Sequence, residues 1–418
     1  MTVPVQEADL SADEFWERPL EERQAVFTGL RQQPGFPFYE EPIMELLPQG
    51  PGYYAVTRHA DIDVISRDPE RFCSGKGAVS ILDMPEDLQE FYGSMISMDD
   101  PRHAKIRRLV SVAFTPKMLE DLVADVETLA VELLGQARAK AAEGDGTFDL
   151  VSEIATPLPL MIICNMMGIP EEDRDLVLRM SNIILSGGDP ELVGSQEEAL
   201  GLFLDAGMQL SALMNKLAGE RQSHPTNDLT SALVTTEIEG ESLTHQEIAS
   251  FFILLCVAGN ETTRNAITAG VLALHDFPEQ RERWMADPSL TKSAVEEIVR
   301  WATPVNWMRR TATIDTTVNG TPVSAGDKLI LFYGSANRDE AAFEDPFAFD
   351  VGRTPNPHMG FGAAGPHFCL GSHLARREIA VVFAKLFELM PDLQVVGQPD
   401  RLRSSFVNGI KRLPVRLG

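Results

Sequence analysis

The sequence predicts a mainly α-helical protein with a minor β portion, in a single large domain built around one long central helix. Three observations carry that expectation. Apolar residues recur at helical spacing from about Pro101 to Leu274. The clearest helix begins at Thr244 and is stopped by Pro278; about 33 residues at about 1.5 Å each give roughly 50 Å, enough to cross a whole globule. Residues 313–333 (TIDTTVNGTPVSAGDKLILFY) alternate and turn like short β-hairpins, with Asn319-Gly320 as the turn.

Taken in order, the N-terminus (MTVPVQEADLSADEFWERPLEER) is acidic and lacks the apolar segment of a signal peptide or membrane anchor. Residues 53–66 read as a short strand followed by a helix. Turns are expected at Glu143–Gly146, Gly187–Pro190 and His224–Asn227. Thr244 and Glu247 form a Thr-x-x-Glu capping box ahead of Ile248, Phe252, Leu255 and Ala258. The last helix is expected from about Leu370 to Leu389, with Ala375, Ile379, Val382, Phe383 and Leu386 as its buried stripe. No repeat or long Pro/Gly/Ser linker divides the chain, so 1–418 is read as one domain, β-rich mainly about 40–60 and 310–335.

An apolar fraction of 44% over 418 residues describes a globular chain with a large core. Its 36 Lys and Arg against 62 Asp and Glu leave a net charge of −26. That excess repels phosphate backbones and anionic lipid, so neither nucleic acid nor a membrane is an expected partner. The four cysteines (Cys73, Cys164, Cys256, Cys369) are scattered without paired spacing, which fits a reducing compartment. A cytoplasmic monomer is expected.

Residues 360–373, GFGAAGPHFCLGSH, admit several readings. Gly360, Gly362 and Gly365 spell a dinucleotide fingerprint, but that motif needs a strand before it and an acidic second strand after it. Here Pro355 and Pro357 precede the loop and one long helix follows. His367, Cys369 and His373 could suggest zinc, yet Cys369 has no Cys-x-x-Cys partner. A buried cysteine acting as a small apolar residue fits the loop taken alone. The remaining reading is an axial thiolate for a haem. Cys369 precedes a helix whose free N–H groups and dipole favour an anionic sulfur, and glycines at 362, 365 and 371 let the backbone pass close under a macrocycle.

A second unusual stretch lies within the apolar central helix: Ala258-Gly259-Asn260-Glu261-Thr262-Thr263. Polar groups buried mid-helix cost free energy unless they find partners or a task. Ala258 and Thr262 share a face at i, i+4 spacing. Small residues there would admit a bulky ligand, and Thr262 with Glu261 could hold water and pass protons.

On these residues the chain resembles the cytochrome P-450 superfamily, the haem-thiolate monooxygenases, over nearly its whole length. Ala258, Gly259, Glu261 and Thr262 match the family's Ala/Gly-Gly-x-Asp/Glu-Thr helix motif, and Glu297-Ile-Val-Arg300 matches its Glu-x-x-Arg motif. His103 and Arg107 match its His-x-x-x-Arg haem contact, while Arg310 and His367 match its other propionate partners. One departure is plain: Phe361 stands eight residues before Cys369 where the family commonly has seven, so the loop carries one extra residue.

The resemblance implies a haem b ligated by Cys369, with His103, Arg107, Ala258, Arg310, Phe361 and His367 around it. It implies O2 activation with two electrons and insertion of one oxygen atom into a C–H bond. Thr262 would hold the proton-delivering water, with Glu261 as the relay to solvent. Electrons would come from NAD(P)H through a ferredoxin reductase and a ferredoxin, landing on a basic patch drawn from Arg102, Lys105, Arg107, Arg108, Arg376 and Arg377. By family position the pocket is lined from 79–98, 180–186, the central helix, 305–308 and 406–407, with Ile81, Met95, Val257, Trp307, Met308 and Phe406 among its side chains. Such a wall suits an apolar substrate. The phrases VAGNETTRN and SMDDPRH resemble the bacterial branch that hydroxylates methyl-branched lipids, fatty acids and sterol or terpenoid side chains. The alternatives are a haem protein that only binds a ligand or gas, and an enzyme of the same type acting on a polyketide or aromatic.

Overall fold

Residues His245–Asp276 form one unbroken helix of 32 residues, about 48 Å long. Thr244 caps it: its hydroxyl accepts from the Glu247 N–H at 3.2 Å, and its own N–H donates to the Glu247 carboxylate at 2.9 Å. Two otherwise orphaned donors are satisfied reciprocally. The helix ends at Phe277 because Pro278, with no N–H to donate, opens the next one. The structure, a computed structural model, describes residues 8–43, 49–111, 116–185, 191, 196–238 and 240–418. The turn expected at Gly187–Pro190 and part of the 40–60 region lie outside them.

The helices that shape the site are α1 (Arg102–Ser111), α2 (Pro157–Met167), the central helix α3 (His245–Asp276), α4 (Thr291–Ala302) and α5 (Ser372–Leu389). Helix α5 starts two residues later than Leu370, because Cys369 and Leu370 belong to the turn that feeds it. Its buried face reads Leu374, Glu378, Ile379, Val382, Phe383 and Leu386, while Ala375 is half-buried. Helices α3, α4 and α5 come together at Gly270. A Cβ there would lie 2.7 Å from the Phe383 ring and 3.1 Å from Ile298, so any larger residue would push α3 off α4 and α5. Phe251, Phe252 and Phe383 are fully buried in the main core, each contributing about 1.5–3 kcal/mol by burial.

The largest sheet among the described residues has five strands ordered β1-β2-β7-β4-β3, from β1 (Phe38–Tyr39), β2 (Tyr53–Val56), β3 (Phe72–Cys73), β4 (Trp307–Ala312) and β7 (Lys328–Phe332). Smaller sheets join Thr147–Asp149 to Pro414–Arg416 and Gln394–Val395, and Asp400–Arg401 to Ile410–Arg412, so β structure extends beyond the expected 40–60 and 310–335 regions. Between β4 and β7 lies the hairpin of β5 (Thr316–Val318) and β6 (Thr321–Val323). Asn319 and Gly320 have φ of 46° and 86°. Positive φ at both central residues is the backbone that matches the twist of a two-residue hairpin. Residues 53–66 are a strand followed by the helix His59–Ser66, as their pattern suggests.

Glu297 and Arg300 are both wholly buried. Arg300 Nε and Nη2 reach the two Glu297 oxygens at 2.7 Å each, and its remaining N–H groups donate to the carbonyls of Asn337, Pro346 and Ala348. Arg353, Asn356 and the Asp350 N–H complete the carboxylate's partners. With every lone pair and proton used, the pair ties α4 to the segment that leads into the cysteine loop.

Candidate active site

A cavity of roughly 1480 Å³, counting the mouth that opens to solvent, lies between α3 and the loop before α5. Cys369 forms its floor. The sulfur is exposed to the cavity while protein encloses the residue on its other sides. Burial raises the thiol above its ordinary range; the N–H groups of Gly371 and Ser372, with Arg107 and Arg376, pull it back down. A bound iron would settle that balance in favour of the anion.

The cysteine loop closes on itself. The Cys369 N–H donates to the Phe361 carbonyl at 3.0 Å, and the Gly362 N–H to that of Met359 at 3.0 Å. Gly365 has φ +151°, and a Cβ on it would lie 2.2 Å from the Ser66 carbonyl oxygen, so only glycine fits. The extra residue is taken up between Phe361 and Gly365, and Phe361 still lines the cavity.

At one edge the cavity gathers cations. Arg107 projects from α1, and its Nη2 donates to the Phe368 carbonyl at 2.7 Å. Arg310 projects from β4, where Met308 and Arg310 share the cavity face and Arg309 points the other way, to Asp83. Neither Arg107 nor Arg310 has a carboxylate partner among the described residues, and burial lowers the pKa of both. The His103 and His367 rings lie beside them, centroids 4.2 Å apart and tilted by 35°. Burial first, then Arg310, His103 and Arg107, holds His367 near 2, so it is neutral. The buried His103 Nε2 has no hydrogen-bond partner. A buried guanidinium and a half-buried one, neither with a carboxylate counter-ion among the described residues, and an orphaned ring nitrogen make a place for a dianion. The two propionates of a haem fit that demand, and the single cavity-facing thiol fits its iron.

Opposite Cys369, Ala258 and Thr262 face the cavity from α3. The Thr262 hydroxyl donates to the Ala258 carbonyl at 2.7 Å. Gly259 also borders the cavity, and a Cβ on it would come within 2.9 Å of Ile163 on α2. Glu261 does not line the cavity. One residue before Thr262 it is turned about 100° around the helix, buried, paired with Arg264 and accepting from Asn265 Nδ2 at 3.0 Å. An expected route from Glu261 directly to solvent is therefore blocked in this conformation by its own partners.

The apolar wall includes Met95, Phe251, Leu254, Val305 and Met308. Trp307 and Phe406, expected on that wall, instead pack edge-to-face at 4.9 Å, and Trp307 and Ile81 are buried in the core beneath the sheet. Val257 packs against the main core. The end of the 180–186 segment lies outside the described residues. The expected basic patch is also divided. Arg102 is paired with Glu90 and Glu247, Lys105 with Glu241 and Arg376 with Glu296, whereas Arg107 faces the cavity.

Sequence reasoning missed Tyr333, Thr263 and Glu378 on the cavity wall. Glu378 was detectable: it stands in the 374, 378, 382, 386 ladder of α5, an acid in an apolar row. Tyr333 follows β7 and carries no such signal.

Among the described residues no helix is long and apolar enough to cross a membrane. The family model for cytochrome P450 matches residues 38–390. A methyl-branched lipid omega-hydroxylase of Mycobacterium tuberculosis is 48% identical over 416 residues, covering 99% of this chain and 95% of that one. A steroid C26-monooxygenase of Mycolicibacterium smegmatis is 39% identical over 368 residues, covering 87% and 83%. The solved structure of a Mycobacterium marinum cytochrome P450 in complex with pseudoionone superposes with a TM-score of 0.92 at 39% identity, covering 99% of each chain. Matched through its core, its cysteine loop and its central helix, the chain belongs to the cytochrome P450 family.

Proposed function

We propose that this monooxygenase hydroxylates a methyl-bearing hydrocarbon end of a branched lipid or sterol side chain, with Cys369 as the axial thiolate. The carrying observation is the polarity of the cavity. Its cations gather at the His103, Arg107, Arg310 and His367 edge, and apart from Cys369 the other lining side chains are hydrocarbon except for Thr262, Thr263, Tyr333 and Glu378. A chain end enters such a space by burial of its methyl groups. Similarity to proteins named for methyl-branched lipids and for the steroid C26 position supports the same class.

When bound, haem b supplies O2 activation using electrons that cytochromes P450 draw from NAD(P)H through redox partners. The chain's own residues do the rest. Arg107, Arg310, His103 and His367 would hold the propionates. Ala258, with only a methyl group, would leave room for the group and its substrate on the α3 side of the cavity. Thr262 accepts a hydrogen bond from a cavity water and fixes where a proton is available. Glu261, behind it, recharges that water by turning away from Arg264. A ferredoxin served by a reductase is the donor we assign.

Titration of the purified holoenzyme with lipids, read by the haem spin-state spectrum and by mass analysis of products, tests the substrate. A methyl-branched fatty acid or sterol should shift the spectrum at lower concentration than a straight chain of equal carbon number, and should be oxidised at its terminal methyl. Response to planar aromatics alone would overturn the assignment.

A further inference from the structure

We propose that Glu296, Arg376 and His358 form a positioning clamp on Phe361 that holds the Cys369 loop in place, an inference resting on the reading of Cys369 as the axial ligand. The four residues come from separate parts of the chain. Glu296 lies on α4, beside the Glu297–Arg300 pair, and Arg376 lies on α5, seven residues after Cys369. His358 and Phe361 bracket the start of the loop.

The geometry is specific. Glu296 Oε1 accepts Arg376 Nε at 2.5 Å and its Oε2 accepts Nη2 at 3.0 Å, a two-pronged pair that fixes the guanidinium plane. That plane sits over the Phe361 ring with Cζ 4.3 Å from the centroid. From the other side, Glu296 Oε2 meets His358 Nε2 at 2.8 Å, and His358 Nδ1 accepts the Gly360 N–H at 3.1 Å. With Nδ1 accepting, Nε2 carries the ring proton and donates to Glu296. Burial alone would raise the Glu296 pKa, yet His358 and Arg376 hold it near 2, so the carboxylate stays charged at working pH.

The chain of contacts ends at the sulfur. The Phe361 carbonyl receives the Cys369 N–H at 3.0 Å. A Cβ on Gly360 would lie 2.5 Å from Val299 Cγ1 and 2.7 Å from the Val299 carbonyl, so the loop is pressed flush against α4. A loop with one extra residue has more backbone freedom to lose, and the clamp removes it at the Phe361 end. Arg376 is therefore committed inward, which takes it out of the basic patch offered to a redox partner.

The test uses holoenzyme without redox partners. The reduced CO complex is followed in mild urea as its thiolate-type Soret band converts to the thiol-type band, and the overall fold is followed by circular dichroism. Glu296→Gln, nearly isosteric, and Arg376→Ala should each convert about 5–30-fold faster than wild type, ahead of unfolding. Arg376→Lys keeps the charge but loses the planar stack and should fall with them, whereas Lys385→Ala on the same helix should behave as wild type. Should Arg376→Ala fail to fold, Glu296→Gln and Arg376→Lys carry the test. Wild-type conversion rates in both would overturn the clamp while leaving the Cys369 reading intact. Absence of a thiolate-type band in the wild type would sink the Cys369 reading itself.

Discussion

The Thr262 hydroxyl spends its proton on the Ala258 carbonyl one turn earlier, at 2.7 Å. Its lone pairs are what remain for the cavity, so Thr262 begins as an acceptor that orients a donor. Replacing it by Val keeps the shape and removes the oxygen. Thr262→Val is expected to bind haem and lipid normally while product per NAD(P)H falls on the order of 10²-fold and peroxide accounts for the electrons. Thr262→Ser should recover most of the coupling. Measuring peroxide and product against reductant consumed decides it; unchanged coupling in the Val variant removes Thr262 from proton delivery.

Glu261 acts, on our reading, only after leaving Arg264. Arg264→Gln should therefore not resemble Glu261→Gln. Loss of the acid removes a proton source, so the Glu261 variant should turn over more slowly with an enlarged solvent isotope effect. Freeing the acid should leave turnover equal to or above wild type, at some loss of stability from the broken buried pair. Slowing of both variants by the same factor would make the pair structural.

Much of this site could be read from the sequence where spacing alone dictates geometry. Thr244 and Glu247, three apart, could hardly do other than cap a helix. Ala258 and Thr262, four apart, had to share a face. Glu261 shows where that reasoning stops. Helical phase turns it off the Thr262 face, yet whether the other side is solvent or core depends on Arg264 and Asn265 and on what packs over them. The basic cluster from Arg102 to Arg108 failed for a similar reason. Its would-be free charges meet Glu90, Glu241 and Glu247, acids up to about 145 positions away in the chain. The Trp307–Phe406 contact likewise joins a strand to a distant bend that no local pattern relates.

The Glu297–Arg300 pair is buried at both ends, so truncating Arg300 leaves the buried Glu297 carboxylate with only Arg353 as a cation among the described residues, and empties the space that the guanidinium fills. Arg300→Ala is expected to cost about 3–5 kcal/mol, enough to leave little folded holoenzyme. Glu297→Gln should also be severe, because the negative charge facing Arg300 and Arg353 is lost and one of the two acceptor oxygens they share with Asn356 becomes a donor. Urea midpoints and haem content of the soluble fraction measure both. A near-wild-type midpoint for Arg300→Ala would contradict the satisfied network described above.

Glu378 gives stability a pH dependence of unusual sign. Burial pushes its pKa from 4.5 up to about 8, with the Thr263 hydroxyl opposing. Between those values the folded state holds a proton that the unfolded state has released, so this group's contribution declines as pH rises through the window, by up to about 1.4 kcal/mol per unit. Glu378→Gln should flatten the decline between about pH 5 and 8 and abolish an infrared carbonyl band of a protonated carboxyl at pH 7. An unaltered pH profile and spectrum would show Glu378 ionised.

Arg377 is exposed on α5, next to the inward-facing Arg376 and on the Cys369 side of the haem cavity. In a chain of net charge −26, an exposed cation there concentrates the local attraction for an acidic ferredoxin. Charge reversal, Arg377→Glu, is expected to slow reduction by ferredoxin about 10-fold at low salt and to flatten its ionic-strength dependence. Lys105 is already neutralised by Glu241 at 3.0 Å, so Lys105→Glu should slow it far less. Stopped-flow reduction across a salt series separates the two, and a larger effect at Lys105 than at Arg377 would centre the landing surface on α1 and not on α5.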